Sequence, residues 1–533
     1  MLVAPALAAI STTGDVLPVY PLANPDPWNV GDELLVGDLA AGTLLIDSGS
    51  DVLSIGGTVG FESLVTGTIT VTGTGSTWTN SQNVALGVFG IGRLEVLDGA
   101  QVENQDAFVG HTSGNGQVLV SGADSQWNNI KNLFVGNSGT GSLTIQSQGL
   151  VRSDSAVIAV SNSSQGTVVV DGQQSAWEVT KSLSVGDASN GGMASLSLTG
   201  TGSRVYVGAA AVTQGATLPI DHTAIVVSSI GTPAKLSVFE GNSIQNAGSA
   251  YIGAGAGESG TVVVDGAGTT WINGGGVFVG LNGSGTLTLV GSGSVSSSGP
   301  VAVGAAGVVS GVGTVIGSLS NAGAVQPGQT LQPGQTVGQL TVNGSYSQDA
   351  SGKLQFDLTG TVAGTFDTLH ISNQAMLDGA LEVELGLDGG SPFVPQLGNS
   401  FDVVTATGGL TGAFTSADLP ALSAGKMWHV RYSANAATLV VKLAGDYNDD
   451  GTVDAADYTV WRDRLGNTLD PSADGDTNGV VDLEDYNIWK ANFGATAGAG
   501  ATIAAAAVPE PANLGLVAAL LSVFACNRCA HRH

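Results

Sequence analysis

The chain has 533 residues, of which 42% are hydrophobic and only 11% are charged, so it contains enough apolar material to bury a long core. The formal net charge is −28, with 43 acidic against 15 basic side chains. This balance excludes the basic surface that a nucleic-acid binder needs, and we expect no nucleic-acid partner. Glycine is abundant and strong helix formers are scarce before about residue 450, which predicts a mostly β protein.

Residues 1–9 form a short apolar stretch, MLVAPALAA, with small residues around Leu7. This stretch resembles the end of a secretory signal peptide, although a basic n-region and a full apolar core are missing. We therefore interpret residues 1–10 as a signal-peptide remnant and expect the true start to lie upstream. The alternative is an N-terminus that is merely apolar.

Tryptophans recur at intervals of about 50 residues through the first part of the chain, and a glycine preceded by Val or Leu follows each one nine residues later. A second apolar–glycine step follows 22–24 residues later in most units, which divides each unit into two halves of about 24 residues. Short alternating strands run between these positions. The tryptophans are Trp28, Trp78, Trp127, Trp177 and Trp271.

Short strands at this period, with no helix between them, predict a right-handed parallel β-helix over residues 28–345, with about thirteen coils. An array of β-sandwiches is the alternative, but each sandwich needs about 100 residues. We interpret the repeated tryptophans as packing residues at the corners of the coils. Glycan binding by these aromatic rings is the competing interpretation.

The pattern changes from Val325, where two Pro-Gly pairs precede strand-like segments at 354–358, 366–371, 381–385 and 401–404. This section resembles the end of autotransporter passenger domains, in which a Pro-Gly turn precedes the last β-helix coils and a cap. The resemblance implies a β cap over residues 346–443.

Two acidic segments, 446–457 and 474–485, fit the twelve-position calcium loop, in which oxygen ligands occupy positions 1, 3, 5, 7, 9 and 12 and glycine occupies position 6. We predict that they bind two Ca²⁺ ions, with a backbone carbonyl as the ligand at position 7. A pair of acidic turns without an ion is the alternative. The predicted ligands are Asp446, Asn448, Asp450, Thr452, Asp454 and Asp457, and then Asp474, Asp476, Asn478, Val480, Asp482 and Asp485.

The two loops are 28 residues apart, end in Asp at position 12 and continue as Asp-Tyr-x-x-Trp. These features resemble a type I dockerin, which is a pair of EF-hand-like repeats, over residues 444–494. The resemblance implies a cohesin-like partner, selected through the exposed positions 10 and 11. These are Ala455-Ala456 in one loop and Leu483-Glu484 in the other, so the halves differ and a symmetric dual-mode contact is not expected.

An Ala/Gly linker at 495–507 precedes a tail at 508–533, in which Val-Pro-Glu-Pro is followed by a short apolar run and a basic end with Arg528 and Arg532. The apolar run is shorter than the roughly 20 residues of a membrane span. The tail resembles the PEP-CTERM sorting signal, although its arginines are few; a buried C-terminal helix is the alternative. The resemblance implies an exosortase acting on the tail, transient membrane contact, and export to the surface or matrix of a Gram-negative-type bacterium. The Cys526 and Cys529 pair has no second pair to complete a metal site.

Together these features predict a non-catalytic exported protein of the cell surface or extracellular matrix. It would be a β-helical stalk or adhesin with a calcium-dependent dockerin module, and an extracellular polysaccharide is a second class of expected partner. The alternative is a dockerin-bearing polysaccharide-degrading enzyme, a lyase or glycoside hydrolase, built on the β-helix. No catalytic residues are predicted, because the basic side chains of residues 28–345 are scattered over different repeats and no acidic cluster accompanies them.

Overall fold

A computed structural model describes residues 9–497, except 173, 188–191, 209–223, 329–336, 389 and 468–470. The predictions for residues 1–8, for most of the linker and for the PEP-CTERM-like tail with Cys526 and Cys529 lie outside these residues. The chain divides into two compact units. The first comprises residues 1–393, 402–418 and 432–438, and the second comprises residues 394–401, 419–431 and 439–533.

The first unit is a β-solenoid of about 13 turns, which confirms the prediction of a mostly β, repetitive fold. Each turn contributes short strands to three faces, and strands of successive turns pair in parallel. In the part of the chain that the structure describes, the α-helices are two short ones near residue 460 and residue 488.

Most strands of face 1 have six to eight residues. Faces 2 and 3 are joined through two longer strands that bend from one to the other, Gln126–Val135 and Leu150–Ile158. The strands of face 1 are Gly42–Asp47, Thr66–Thr72, Ile91–Leu97, Asn115–Ser121, Thr140–Gln146, Gln165–Asp171, Met193–Thr199, Ala234–Val238, Glu258–Asp265, Ser284–Val290, Gly307–Gly311, Ala324–Pro327, Lys353–Leu358, Ala380–Leu385 and Ser416–Asp418. The further strands of face 2 are Trp28–Asn29, Asp51–Ser54, Thr77–Asn80, Gln101–Asn104, Ala176–Val179, Arg204–Val207, Ser243–Asn246, Thr270–Asn273, Ser294–Ser297, Thr314–Ile316, Gln339–Asn343, Thr368–Ile371 and Ser400–Ala406. Those of face 3 are Leu34–Val36, Gly57–Val59, Val84–Leu86, Ala107–Val109, Ser182–Val185, Ala224–Val227, Ser249–Ile252, Val277–Val279, Val301–Val303, Leu319–Asn321, Tyr346–Gln348, Ala375–Leu377 and Leu410–Gly412.

The core forms because each strand alternates between apolar and polar residues, so that one side of every strand faces inward. On face 1, Leu94 pairs with Ile69 of the preceding turn and Val118 of the next, and all three are buried. Stacking identical positions in this way produces continuous aliphatic rows through the solenoid. Parallel pairing continues beyond residue 345, since Tyr346 pairs with Ala375.

The glycines that follow the tryptophans mark corners where no larger residue fits. Gly87 has φ +64°, and a Cβ on it would lie 2.3 Å from the carbonyl carbon of Asn115 in the next turn. Gly136 has φ +74°, and its Cβ would lie 2.4 Å from the carbonyl oxygen of Gln165. A left-handed backbone conformation and close contact between turns therefore both require glycine at these corners.

The repeated tryptophans are all buried. The indole nitrogen of Trp127 donates to Oδ1 of Asn104 at 2.8 Å, and the Asn104 amide donates to Oδ1 of Asn129 at 2.9 Å. Asn104 and Asn129 are themselves buried and face each other in successive turns. Because the indole rings are enclosed, these tryptophans have no face on which a glycan could stack.

Antiparallel strands cover the first turn. Ala9–Gly14 pairs with Gly42–Asp47 on face 1, and Val16–Leu17 pairs with Leu34–Val36 on face 3. Further antiparallel pairs are formed by Ser229–Ile230 with Glu258–Asp265 and by Leu387–Asp388 with Ser391–Pro392.

Towards the second unit the chain forms the strands Lys426–Tyr432 and Ala436–Leu443. The helices α1 (Ala455–Arg464) and α2 (Leu483–Asn492) follow, with a 3₁₀ turn at Pro471–Ala473 between them.

Candidate metal centre

Each acidic segment forms a loop that leads directly into a helix. Asp454 and Asp482, at position 9 of their loops, are the N-caps of α1 and α2, and their side chains accept the backbone N–H of Ala456 at 2.7 Å and of Glu484 at 2.9 Å. Capping boxes with the position-12 aspartates complete both helix starts. The two halves therefore begin their helices in the same way, 28 residues apart.

The first aspartate of each loop holds the sharp turn at position 6. The N–H of Gly451 donates to Oδ2 of Asp446 at 3.0 Å, and the N–H of Gly479 donates to Oδ2 of Asp474 at 2.8 Å. Both glycines have positive φ, +82° and +89°, which favours glycine at this position. The turn therefore wraps the loop backbone around the first carboxylate.

The position-12 carboxylates are fully buried and accept three backbone N–H groups each. Asp457 accepts from Tyr447 at 2.8 Å, Asn448 at 3.0 Å and Asp454 at 2.8 Å. Asp485 accepts from Gly475 at 2.6 Å, Asp476 at 3.3 Å and Asp482 at 2.7 Å. The same carboxylate thus ties the start of each loop to the start of its helix.

Three acids converge in the second loop. Oxygen atoms of Asp474, Asp476 and Asp485 all lie within 4.8 Å of one another, and this is the one such cluster of three found among the described residues. The corresponding residues of the first loop are Asp446, Asn448 and Asp457, so an amide replaces one carboxylate there. The second loop consequently concentrates more negative charge at positions 1, 3 and 12.

The middle positions of each loop bond to one another. Asp450 accepts the N–H of Thr452 at 2.9 Å and the side-chain amide of Asn448 at 2.8 Å. In the second loop, Asn478 accepts the N–H of Val480 at 2.8 Å and donates to Oδ2 of Asp476 at 3.1 Å. The predicted side-chain ligands at positions 1, 3, 5 and 12 thus belong to one hydrogen-bonded network in each loop, whereas the position-9 carboxylates cap the helices.

Burial raises the pKa of the carboxyl groups at positions 1 and 12 of both loops. Burial is the main cause for Asp446, Asp457 and Asp485, all of which have a raised pKa. For Asp474, burial and the neighbouring charges of Asp485 and Asp476 raise the pKa to about 7, although the N–H of Gly479 acts in the opposite direction. A cation among these groups would remove the repulsion, which is the electrostatic requirement of a metal site.

The two halves also pack reciprocally. The indole of Trp461 on α1 donates to the backbone carbonyl of Asp482 at 2.7 Å, and the indole of Trp489 on α2 donates to that of Asp454 at 2.8 Å. Val453 and Val481, at position 8, are completely buried in the same core. Their backbones pair across the halves, Val453 with 494–495 and Val481 with 466–467. Each helix therefore closes on the loop of the other half.

One acidic residue of the first loop that is not a predicted ligand forms ion pairs. Asp449, at position 4, forms ion pairs with Lys442 at 2.8 Å and Arg431 at 3.2 Å. The calcium-loop pattern assigns no ligand to position 4, and Lys442 and Arg431 lie on the preceding strands. The signal that could have found them is the presence of basic residues just before an acidic loop.

The solenoid carries a polar groove of about 300 Å³ beside the bend in Gln126–Val135. Arg152 lines the groove and donates hydrogen bonds to Glu178 at 2.8 Å and to Gln126 at 2.7 Å. Asp154, another lining residue, forms an ion pair with Lys181 at 2.6 Å. The groove is lined by Asn128, Asn129, Ile130, Arg152, Ser153, Asp154 and Thr180.

No protein-family model matches the chain, and no curated protein matches its sequence. Within the described residues, none of the helices has the length and apolar character of a membrane span.

Proposed function

We propose that the protein is a non-catalytic structural or adhesive protein of the cell surface or extracellular matrix. The solenoid is its stalk, and residues 444–494 are a calcium-dependent docking module of the dockerin type. The observation that carries this proposal is the pair of matching loop–helix units, with the convergent carboxylates of Asp474, Asp476 and Asp485 in the second.

The donor chemistry supports Ca²⁺ as the ion. Calcium prefers six to eight oxygen ligands, and each loop supplies carboxylate, amide and carbonyl oxygens around a glycine turn. Its charge would favour the ionised form of Asp474, whose pKa is raised by burial and by repulsion from Asp485 and Asp476. The residues that would hold the ions are the twelve predicted from the sequence, and the indole–carbonyl bonds would transmit the order of each loop to the other half.

A docking role is supported by the exposed residues at positions 10 and 11 of the two loops, which begin the helices. Ala455 and Ala456 are exposed on α1, and Leu483 and Glu484 are exposed on α2, with Leu483 60% accessible. A large apolar side chain at a helix start has no partner in its own core and is suited to a protein interface. The two helix starts differ in chemistry, so a cohesin-like partner would distinguish between them.

The test has two parts. Calorimetric titration of the full chain with Ca²⁺ after chelation is expected to give two ions per molecule. Immobilised protein is then exposed to a panel of cohesin-like domains with calcium and with chelator, and retention only with calcium supports docking. Leu483→Asp should abolish retention without changing calcium binding. Titration without any bound Ca²⁺, or retention that survives chelation, would contradict the proposal.

Export and sorting are proposed from the sequence of residues 508–533. An exosortase would process the tail near Pro509-Glu510-Pro511, so membrane contact would be transient. Mass spectrometry of the protein recovered from the cell surface should then find a C-terminus within or close to this motif. Recovery of an intact His533 terminus would contradict processing.

The groove at Arg152 favours a second candidate, a polysaccharide-binding or polysaccharide-degrading solenoid. It combines cationic and anionic groups with amide and hydroxyl donors, which suits an extracellular glycan. Incubation with pectins, alginates and xylans distinguishes a solenoid that binds polysaccharide from one that degrades it. Release of reducing ends or unsaturated products that is lost in Arg152→Gln would indicate an enzyme, whereas retention without release would indicate an adhesin.

A further inference from the structure

The two loops differ in their surroundings at position 4. Asp449 of the first loop receives the Lys442 ammonium at 2.8 Å on one oxygen and the Arg431 guanidinium at 3.2 Å on the other. His429 Nε2 lies 4.0 Å from the same carboxylate. The residue in the corresponding place of the second loop is Thr477, whose hydroxyl donates to the backbone carbonyl of Asp476. Only the first loop, therefore, is bound to cationic side chains at this position.

Lys442 acts on more of the first loop than Asp449 alone. Its ammonium is almost fully buried, with 8% of the side chain accessible. Burial lowers its pKa, while the charges of Asp449, Asp446 and Asp457 act in the opposite direction. Asp446 and Asp457 are positions 1 and 12, so a fixed cation already lies within the field of the acids that would bind calcium.

The second loop has as many predicted carboxylate ligands as the first, four, but no ion-paired cation beside them in the part of the chain that the structure describes. Among the described residues, none of the ion pairs involves Asp474, Asp476, Asp482 or Asp485. Its carboxylates at positions 1, 3 and 12 converge, whereas Asn448 replaces the position-3 acid in the first loop. A divalent ion entering the second loop meets uncompensated negative charge, and one entering the first loop must oppose Lys442.

We propose that Lys442, assisted by Arg431, sets the calcium affinity of the first loop below that of the second, so that the second loop fills first. This inference rests on the calcium-binding function proposed above. The buried ammonium serves as a resident counter-charge, which keeps the first loop closed at low calcium and delays its occupation. The module then responds to calcium in two steps, with the complete docking surface formed only in the second.

Calorimetric titration of the full chain, chelated and then supplied with Ca²⁺, tests the order of filling. Wild type is expected to show one tight and one weaker site. Asp485→Asn, in the second loop, should remove the tight site. Lys442→Met removes the charge, keeps an unbranched side chain one atom shorter, and should tighten the weaker site about tenfold while leaving the other unchanged.

Two further variants keep the test informative if a substitution unfolds the protein. Arg431→Gln changes a half-exposed side chain and should tighten the weaker site by a smaller factor, so it carries the test if Lys442→Met unfolds. Lys181→Met removes a lysine from an ion pair with Asp154 in the solenoid and should change neither site.

The outcomes separate this inference from the calcium proposal. If wild type binds two ions but Lys442→Met and Arg431→Gln leave the weaker site unchanged or weaken it, the role of the two cations is overturned. Loss of the weaker site in Asp485→Asn would overturn the order of filling. If wild type binds no calcium, the proposed function fails and this inference fails with it.

Discussion

The indole nitrogen of Trp489 donates to the backbone carbonyl oxygen of Asp454 across 2.8 Å. The donor lies on the second helix, and the acceptor is the residue that caps the first. Trp461 makes the corresponding bond in the other direction, so each helix stabilises the last part of the opposite loop. Neither half has its complete set of contacts without the other, and we expect the halves to fold together.

Replacing either tryptophan by phenylalanine removes one of these bonds. Trp489→Phe and Trp461→Phe should each lower the free energy of unfolding of the second unit by about 1–3 kcal/mol, because a part-buried hydrogen bond and some buried indole surface are lost. The change is measured by urea denaturation in the presence of calcium, with tyrosine and tryptophan fluorescence as the signal. The two variants control each other, since a large effect in only one of them would contradict the reciprocal arrangement.

The solenoid offers a matched pair of tryptophans. Trp127 donates to Asn104, whereas the indole nitrogen of Trp271, also buried, has no hydrogen-bond partner among the described residues. Phenylalanine at 127 should therefore destabilise the solenoid by about 1–3 kcal/mol more than phenylalanine at 271, since both lose similar volume but only the first breaks a bond. Equal losses in thermal or urea denaturation would show that the Asn104 bond contributes nothing.

Removing the position-12 carboxylate should eliminate one calcium ion. Asp485→Asn loses a charge at the place where Asp474 and Asp476 converge, and it replaces an oxygen that accepts backbone N–H groups with an amide nitrogen that cannot accept. We expect at least a tenfold loss of affinity at the second loop. The neighbouring exposed Glu484 supplies the control, because Glu484→Gln should still bind two ions in the same titration.

Stability should also depend on two buried acids of the solenoid. Burial, with a contribution from Glu384, raises the pKa of Asp357 to about 6, and burial raises the pKa of Asp367 to about 8. Both groups hold protons more tightly when folded than when unfolded, where an aspartate has a pKa of about 3.9. Their contribution to stability is therefore complete below about pH 4 and is lost as pH rises through about 6 and about 8.

Asp357→Asn should remove the loss of stability that occurs as pH rises through about 6. Between pH 4 and pH 7.5, the free energy of unfolding of the variant should rise by about 1–3 kcal/mol relative to that of wild type, because its neutral amide has no charge to bury. Denaturation curves at the two pH values, with the exposed Asp124→Asn as control, measure the difference. Parallel pH profiles of wild type and variant would contradict the prediction, because they would show that the pKa of Asp357 is the same in the folded and unfolded protein.

Much of the solenoid follows from local patterns in the sequence. The spacing of Trp78, Trp127 and Trp177 indicates the repeat, and the glycines after them are required by positive φ at the corners. The buried amide row could not be predicted in this way. Alternation places Asn104 and Asn129 on the inward side of their strands, but polar side chains are not expected there. Only their hydrogen bond between turns and the bond from Trp127 to Asn104 make this burial tolerable.

The candidate site likewise has a part that the sequence predicts and a part that it does not. Loop positions 6, 9 and 12 have defined backbone roles, so Gly451, Asp454 and Asp457 could be placed from spacing alone. Basic residues before the acidic loop hint at ion pairs, but the pairing of Lys442 with Asp449 in particular could not be assigned, because it joins a loop to a strand whose packing no local pattern describes.

The reversed strands at the first turn have a consequence for assembly. Ala9–Gly14 runs against Gly42–Asp47, whereas the next strand of face 1, Thr66–Thr72, runs parallel to Gly42–Asp47. Val16–Leu17 likewise runs against Leu34–Val36. A second copy that approached this end would find no parallel strand on which to continue the stack. These two antiparallel strands therefore oppose end-to-end polymerisation at this edge of the solenoid and favour separate molecules over fibres.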